Sequence, residues 1–289
     1  MAERVDAGEE AGAPYAGPRN KPARSEGVVV ELSHEGGGNQ RLVIRVPGWP
    51  GFDPGQFVML SPGALSDVMR SDPLLPRPMA VYRERRSGAD CDIEILFKRH
   101  GRGTALLADV LPGQRMRVVG PLGRGFQEPG AGERALLVAG GTGVASIREL
   151  AARCGAQAGP KPRVLLGARS SVDLMGLSDF EALEVPLEVS TEDGSLGRQG
   201  RVTDLLEDVL AGGEPFRVFC CGPTPMMRRV AELAEAAGRP CMVSLENPMA
   251  CGFGVCLGCA APMRAGGYAL VCREGPVFAA SDLSWEGLP

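Results

Sequence analysis

Four cysteines near the C-terminal end of the sequence have a spacing that suits iron-sulfur chemistry. Cys251, Cys256, Cys259 and Cys272 follow the pattern C-x4-C-x2-C-x12-C. Three thiolates from one loop and a fourth from further along the chain form the plant-type arrangement for a 2Fe-2S cluster. We expect the glycines of this loop to adopt positive φ and to bring backbone N–H groups close to the cluster sulfurs; they are Gly252, Gly254 and Gly258. The four cysteines are therefore candidate cluster ligands.

The cysteine pattern alone leaves two other interpretations open. A structural zinc site usually uses two C-x2-C pairs, whereas this chain has one, and four unrelated buried thiols are also compatible with the spacing. The chain has 9 cysteines in all, and an odd number without a secretory signal argues against a disulfide framework. We expect four of the others to be packed as small hydrophobic side chains: Cys91, Cys154, Cys220 and Cys241.

Three further segments have residues suited to binding anions. Pro78 holds the backbone of Arg77 extended, a posture suited to reaching over a bound anion. Gly103-Thr104 lies between a predicted strand and a predicted helix, where free N–H groups attract phosphate. These two sites within one β-rich region suggest a dinucleotide. The turn 140–143, Gly-Gly-Thr-Gly, also joins a strand to a helix, although it lacks the full G-x-G-x-x-G spacing and glycines can serve a tight turn alone.

The elements that position Arg77 and Gly103 are predicted to be antiparallel strands. Residues 27–47 indicate two strands joined by a glycine-rich turn, and short apolar runs follow at 57–60, 79–82, 91–97 and 116–119. One helical segment is expected at 104–110. We therefore predict a small antiparallel β-barrel of about six strands within residues 26–130.

From residue 134 onward the pattern changes to strand, turn and helix. Strands are predicted at 135–139, 164–166, 187–189 and 218–221, and helices at 144–153, 174–183, 202–210 and 225–237. This alternation is typical of a parallel sheet, so residues 131–245 are predicted to form a nucleotide-binding α/β domain. Residues 246–289 would form a small cluster domain.

Composition and charge exclude several classes of function. The chain has 31 basic and 35 acidic residues, a net charge of −4, so it has no positive field for nucleic acid or anionic lipid. Residues 1–25 have no apolar core and are expected to be a disordered tail rather than a signal peptide or membrane anchor. No apolar run approaches the ~20 residues that span a bilayer. We expect a cytoplasmic protein.

Taken in order along the chain, the motifs resemble the ferredoxin-reductase-type flavoprotein family over about residues 26 to 280. The cysteine pattern narrows the resemblance to the electron transfer subunits of class B dihydroorotate dehydrogenases. The motifs are Gly55-Gln-Phe-Val-Met-Leu, Asp72-Pro-Leu-Leu-Pro-Arg-Pro-Met-Ala, Gly103-Thr, Gly120-Pro-Leu-Gly-Arg-Gly-Phe, Gly140-Gly-Thr-Gly, Cys221-Gly-Pro and Met249-Ala-Cys-Gly-Phe-Gly-Val-Cys-Leu-Gly-Cys.

This resemblance implies two bound dinucleotides and assigns residues to each. FAD would be held in the barrel by Arg77, Pro78, Met79, Ala80, Leu96, Phe97, Lys98, Gly103 and Thr104. NAD, as co-substrate, would dock on the α/β domain at Gly140, Gly141, Thr142, Gly143, Cys221, Gly222 and Pro223, with Cys221 close to the nicotinamide. No catalytic residue is assigned to the chain itself.

The resemblance also implies a partner. In that family the subunit pairs with an FMN-containing dihydroorotate dehydrogenase catalytic subunit, in a heterotetramer. Electrons from dihydroorotate pass through FMN, the cluster and FAD to NAD⁺, a step of pyrimidine and UMP biosynthesis. A flavin is needed because nicotinamide exchanges two electrons as hydride whereas the cluster carries one.

Two alternatives to this function stay open. The flavin and iron-sulfur subunits of NADH-dependent ferredoxin:NADP oxidoreductases and sulfide dehydrogenases share the same three parts, though some replace one cluster cysteine by aspartate. A zinc-stabilised interaction module without redox activity is the other.

The sequence departs from the family pattern at two positions. Ala80 stands where Ser or Thr is usual, and Ser146 where Pro is common. Preference for NAD over NADP is also open, because Arg169 could meet a 2′-phosphate or be a solvated charge.

Overall fold

The computed structural model describes residues 21–61, 75–130 and 132–289. Its first part is a seven-stranded antiparallel sheet with the strand order β4-β3-β7-β1-β2-β6-β5. The strands are β1 (Ala23–Gly36), β2 (Asn39–Pro47), β3 (Phe57–Leu60), β4 (Arg77–Ala80), β5 (Arg83–Ser87), β6 (Asp90–Lys98) and β7 (Arg115–Leu122). Helix α1 (Arg102–Leu107) connects β6 to β7.

This sheet curls into a barrel, as the sequence predicts. Strands β4 and β5 are consecutive in the chain yet lie at opposite edges of the sheet, separated only by Val81 and Tyr82. The Val81 N–H donates to the Gln56 carbonyl (3.0 Å) and the Tyr82 N–H to the Glu94 carbonyl (2.9 Å). Two residues can cross from one edge to the other only if the edges are close together, so the sheet is curved round its apolar core.

The barrel differs from the sequence prediction in two places. The additional strand is β5, which has the sequence Arg-Glu-Arg-Arg-Ser and lacks the apolar residues that identified the other strands. Among the described residues its one partner is β6, so it is an edge strand, where charged side chains are well tolerated. The predicted tail, 1–25, lies mainly outside the described residues, but Ala23 to Ser25 belong to β1 and pair with β7.

The second part of the chain is a largely parallel sheet flanked by helices. Its strands are β8 (Arg134–Gly140), β9 (Arg163–Ala168), β10 (Leu187–Thr191), β11 (Arg198–Gln199), β12 (Phe216–Cys221) and β13 (Cys241–Ser244). The helices are α2 (Val144–Ala156), α3 (Leu177–Glu181), α4 (Val202–Ala211) and α5 (Thr224–Ala236). The strand order is β11-β10-β9-β8-β12-β13. Starting from β8, the next strands along the chain (β9 to β11) lie on one side of it, whereas β12 and β13 lie on the other side. A doubly wound sheet binds its ligand at the carboxyl ends of the two strands where this change occurs, here β8 and β12.

Helix α3 is shorter than the predicted helix 174–183. Gly176 has φ +62°, which is outside the right-handed helical region, so the helix begins only after this residue, at Leu177. A Cβ at Gly176 would overlap the Tyr82 hydroxyl, so a glycine there lets α3 approach the barrel closely.

The C-terminal segment is packed onto the parallel sheet. It contains the hairpin β14 (Ala260–Pro262) and β15 (Tyr268–Leu270), followed by β16 (Val277–Ala279). Strand β16 extends the sheet by pairing antiparallel with β13. Cys259, Val271 and Cys272 share one hydrophobic core with Val218 and Val243 of that sheet. The cysteine-bearing segment is thus held against the same sheet edge as β13.

A buried ionic network joins the barrel to α3. The Asp179 carboxylate lies 2.7 Å from a guanidinium nitrogen of Arg41, 2.8 Å from one of Arg83 and 2.9 Å from the Tyr82 hydroxyl. Arg41 also pairs with Glu94 at 2.7 Å. The network ties together elements that lie far apart in the sequence.

Within the described residues, no helix combines the length and apolar character required to cross a bilayer.

Candidate functional site

A cavity of about 380 Å³ lies between the barrel and the carboxyl edge of the parallel sheet. Pro78, Met79, Ala80 and Leu96 line it from the barrel, and Thr142 from the glycine turn lies opposite. All five were assigned to cofactor binding from the resemblance. The volume falls within the range of small-molecule sites, which are about 300–1,000 Å³ and mostly apolar.

Arg77 and the start of α1 form one site rather than two. A Cβ at Gly103 would stand 2.7 Å from Cδ of Arg77, so the arginine side chain lies directly against the glycine at the beginning of the helix. The Thr104 hydroxyl accepts hydrogen bonds from the N–H groups of His100 (2.9 Å) and Gly101 (3.0 Å). The structure therefore brings together Arg77, Gly103 and Thr104, which the sequence singled out separately as candidate phosphate contacts.

Two other residues assigned to the flavin have side chains elsewhere. The Lys98 ammonium is 2.7 Å from the Asp173 carboxylate, an ion pair between the barrel and the parallel-sheet region. Phe97 is buried in the barrel core. Neither is among the residues that line the cavity.

The glycine turn packs against the end of β12. A Cβ at Gly143 would overlap the backbone of Cys221 and Gly222. The two segments that the resemblance implies for NAD, 140–143 and 221–223, are thus adjacent at the point where the strand order reverses. Arg169 is exposed and helps to lower the pKa of Asp173, so it lies near a carboxylate.

The polar residues on the α/β side of the cavity include one that was not identified from the sequence, Glu246. Glu246 lines the cavity together with Thr142, and its carboxylate accepts a hydrogen bond from the Cys221 thiol (3.9 Å). Glu246 is exposed where it lines the cavity. Burial, with Glu246 nearby, raises the pKa of Cys221, whose thiol donates to the Ser244 carbonyl (3.4 Å). The position of Glu246 just beyond β13 is the signal that could have identified it.

The four clustered cysteines meet as two pairs. The Cys251 sulfur accepts the Phe253 N–H (3.5 Å) and lies beside the Cys256 thiol, while the Cys259 sulfur accepts the Cys272 N–H (3.4 Å). In the described part of the chain, no three His, Cys, Asp or Glu side chains surround one point closely enough to hold a single metal ion. Two neighbouring thiol pairs with backbone N–H groups on their sulfurs fit a cluster of two irons.

Backbone donors shape the acidity of these thiols. Burial raises the pKa of Cys251, but the N–H groups of Cys256, Phe253 and Val255 outweigh it and bring the pKa down to about 6. Burial and the adjacent Cys259 raise the pKa of Cys272 to about 12.

Two of the three glycines in the cysteine loop have the positive φ that the sequence predicts. Gly252 and Gly254 have φ of +83° and +84°. Gly258 does not adopt positive φ; its neighbour Leu257 does, at +58°. A left-handed leucine is a strained conformation that persists only where surrounding structure fixes it.

Comparisons with known proteins agree with this geometry. Residues 246–284 match the family model for the iron-sulfur cluster binding domain of dihydroorotate dehydrogenase B, and residues 137–232 match the oxidoreductase NAD-binding domain. The chain is 38% identical to the dihydroorotate dehydrogenase B (NAD(+)) electron transfer subunit of Bacillus caldolyticus, over 90% of this chain and 95% of the relative. A homolog of that subunit from Aquifex aeolicus is 35% identical, over 86% and 94%.

Solved structures with the same fold are also similar. The structure of an NADH-dependent reduced ferredoxin-NADP oxidoreductase superposes with a TM-score of 0.75 and 28% identity, covering 91% of each chain. The ferredoxin reductase of carbazole 1,9a-dioxygenase, at 21% identity and a TM-score of 0.64, covers 77% of this chain and 68% of its own, and shares the fold.

Proposed function

Because this chain belongs to the family of dihydroorotate dehydrogenase B electron transfer subunits, we propose that it connects a catalytic subunit to NAD⁺ in pyrimidine biosynthesis. Electrons would leave the FMN of that subunit and reach NAD⁺ by way of the 2Fe-2S cluster and FAD. The observation that carries the proposal is the cavity, which has the barrel on one side and the glycine turn at residues 140–143 on the other. The two thiol pairs lie on the segment that follows the α/β domain in the chain.

We assign the three parts of the chain as an FAD-binding barrel at 26–130, an NAD-binding α/β domain at 131–245 and a cluster domain at 246–289. The last of these also contributes β16 to the parallel sheet. A bound flavin supplies the exchange between hydride and single electrons that nicotinamide and cluster require.

The chain's own residues hold and shield the groups. Arg77, with Gly103 and Thr104, offers a guanidinium and a helix start to a pyrophosphate. Pro78, Met79, Ala80 and Leu96 give an apolar wall that excludes water from the ring system. The thiol pairs, Cys251 with Cys256 and Cys259 with Cys272, hold the cluster.

The partner subunit is proposed to dock over the cysteine loop. Phe253, Val255 and Leu257 are exposed by 58%, 74% and 64%, and they lie on the same loop as the first three cluster ligands. Apolar side chains this exposed, side by side, are typical of a protein contact surface. A catalytic subunit that covers them brings its own redox centre close to the cluster, and two such pairs form the proposed heterotetramer.

A charge at the centre of this surface tests the docking site. We expect Val255→Asp to abolish co-purification with the co-expressed FMN subunit while flavin and iron contents stay unchanged. Leu111→Asp is the matched control, because Leu111 is 62% exposed on the barrel. Equal loss of the partner in both variants, or in neither, would contradict the proposed surface.

The function itself is tested by anaerobic purification of the chain with and without the FMN subunit. We expect bound FAD, about two irons per chain and bleaching of the visible spectrum by NADH. Reduction of NAD⁺ by dihydroorotate should require both subunits. A colourless protein that contains zinc and does not react with NADH would refute the proposal.

The second candidate is the corresponding subunit of an NADH-dependent ferredoxin:NADP oxidoreductase, favoured by the 28% identity and TM-score of 0.75 to such a structure. Transfer of electrons from reduced ferredoxin, with no activity toward dihydroorotate in the presence of the FMN subunit, would support it instead.

A further inference from the structure

The barrel and the α/β domain share one hydrophobic core that reaches the cavity. Tyr82 and Leu96 belong to this core from the barrel side. Val144 and Ala145, the first two residues of α2, belong to it from the other side. Because Leu96 and Ala145 also line the cavity, the packing of this core sets how far apart the two cavity walls stand. Tyr82 is 0% exposed and follows Ala80 of the barrel wall by two residues.

The hydroxyl of Tyr82 reaches from the barrel to α3. It donates to the Asp179 carboxylate at 2.9 Å. Burial and that carboxylate raise the pKa of Tyr82, so the hydroxyl keeps its proton and stays a donor at neutral pH. The residue before α3 also lies against the barrel, because a Cβ at Gly176 would overlap the Tyr82 hydroxyl and stand 3.4 Å from Leu96. The hydroxyl is thus packed against α3 as well as bonded to it.

The ring of Tyr82 is contacted from α2, the helix whose first turn lines the cavity. The Arg148 guanidinium of that helix lies 5.9 Å from the ring centroid. Arg41 and Arg83 of the barrel lie 5.3 and 5.8 Å from the same centroid. Guanidinium groups at such distances are attracted to an aromatic face. One buried side chain of the barrel is therefore in contact with two helices of the α/β domain.

A second contact attaches the far end of α2 to the barrel. Arg153 donates to the Phe52 carbonyl at 2.7 Å. Helix α2 therefore has one attachment at Arg148, beside its cavity end, and another at Arg153. Loss of the Tyr82 contacts would free the end of α2 that lines the cavity and leave the far end attached.

We propose that Tyr82 is a positioning residue that holds α3 and the first turn of α2 at a fixed distance from the barrel wall of the cavity. It touches neither the flavin nor the nicotinamide and acts through the two helices. Reaction rates depend steeply on the placement of reacting groups, so a small shift of these helices slows the reaction between two bound rings. This inference rests on the proposed function, since it requires a flavin and a nicotinamide in the cavity.

Two substitutions test the contacts separately. Tyr82→Phe removes the hydroxyl and keeps the ring, whereas Arg148→Met removes the contact from α2 and keeps the hydroxyl. In anaerobic stopped flow, we expect the maximal rate of flavin reduction by NADH to fall about tenfold in Tyr82→Phe and about threefold in Arg148→Met. The NADH concentration that gives half the maximal rate should change by less than about twofold, because neither residue lines the cavity. Tyr268→Phe is the matched control, since Tyr268 is 75% exposed on β15, and it should keep the full rate.

Hydrogen exchange separates positioning from a general loss of structure. It is measured by mass spectrometry on the FAD-bound chain without NADH. In Tyr82→Phe, the amides of α3 and of the first turn of α2 should exchange about tenfold faster, while those of β2 and β6 exchange as in the unmodified chain. Flavin content and the midpoint potential of the flavin should stay unchanged. A merely structural role would instead lower the flavin content and speed exchange across the barrel.

The possible results distinguish this inference from the proposed function. If the unmodified chain binds flavin and is reduced by NADH, three results overturn the inference alone: a full rate in Tyr82→Phe, a rate that falls only in proportion to its flavin content, or unchanged exchange of the two helices. An unmodified chain without flavin, or one that NADH does not reduce, overturns the proposed function and this inference with it.

Discussion

Asp179 should be among the most costly carboxylates to neutralise in this protein. Its carboxylate receives two guanidinium contacts, at 2.7 and 2.8 Å, and the Tyr82 hydroxyl at 2.9 Å. Arg41 and Arg83 are only 12% and 14% exposed, so water cannot replace the lost charge easily. Removing one partner of a buried ion pair typically costs about 3–5 kcal/mol.

We expect Asp179→Asn to lie at the lower end of that range. Arg41 keeps Glu94 at 2.7 Å and Glu35 at 2.6 Å, so its charge remains compensated in part. The free energy of unfolding should therefore fall by about 3 kcal/mol. Burial alone would raise the pKa of Asp179, but Arg41, Arg83 and Tyr82 lower it. Because the folded-state pKa lies below the unfolded one, this stabilisation is present at neutral pH and is lost as the pH falls through the folded value.

The assay is urea unfolding followed by far-UV circular dichroism and by tryptophan fluorescence. Trp49 is 3% exposed in the barrel, so its emission reports loss of that core. Asp208→Asn is the matched control, since Asp208 pairs with Arg198 at the surface, where their side chains are 68% and 48% exposed. Such a pair contributes about 0–1 kcal/mol. Equal losses of stability in the two variants, at equal urea dependence, would refute the argument from burial.

Three further outcomes follow from the site. Glu246→Gln should slow flavin reduction by NADH about tenfold or more, because a hydrogen bond to a charged group contributes roughly 1.5–3 kcal/mol. Stopped-flow rates measured at fixed flavin content check this. Gly143→Ala should abolish flavin reduction by NADH, because the added methyl group overlaps the Cys221 backbone. Gly141→Ala is the matched control: Gly141 has φ +54° and open space around it, so the free energy of unfolding in urea should fall by only about 1 kcal/mol. Similar behaviour of the two variants would contradict this packing. Cys272→Ser should remove the visible bands and iron of the cluster while FAD stays bound, and loss of both groups together would argue against separate sites.

Local patterns in the sequence were sufficient where a single segment carries the signal. Short apolar runs indicated most barrel strands, and the strand-turn-helix pattern indicated the parallel sheet. Strand β5 was missed because charged side chains at a sheet edge leave no hydrophobic pattern. The helix predicted at 174–183 was too long because apolar periodicity does not show that Gly176 is left-handed.

The sequence by itself determined which functional groups this protein carries: four thiols at the spacing of cluster ligands, a glycine turn after a buried strand, and an arginine before a proline. Each is a short motif whose meaning depends on covalent spacing and on one element of secondary structure. Only the tertiary structure decided which of them meet. It placed Gly103 under Arg77, Glu246 beside Cys221, and Ala80 and Ser146 on the same cavity. It also engaged Lys98 with Asp173 instead of the cavity. The reason is physical: periodicity encodes which face of an element is buried, whereas contacts between distant segments depend on how whole elements pack.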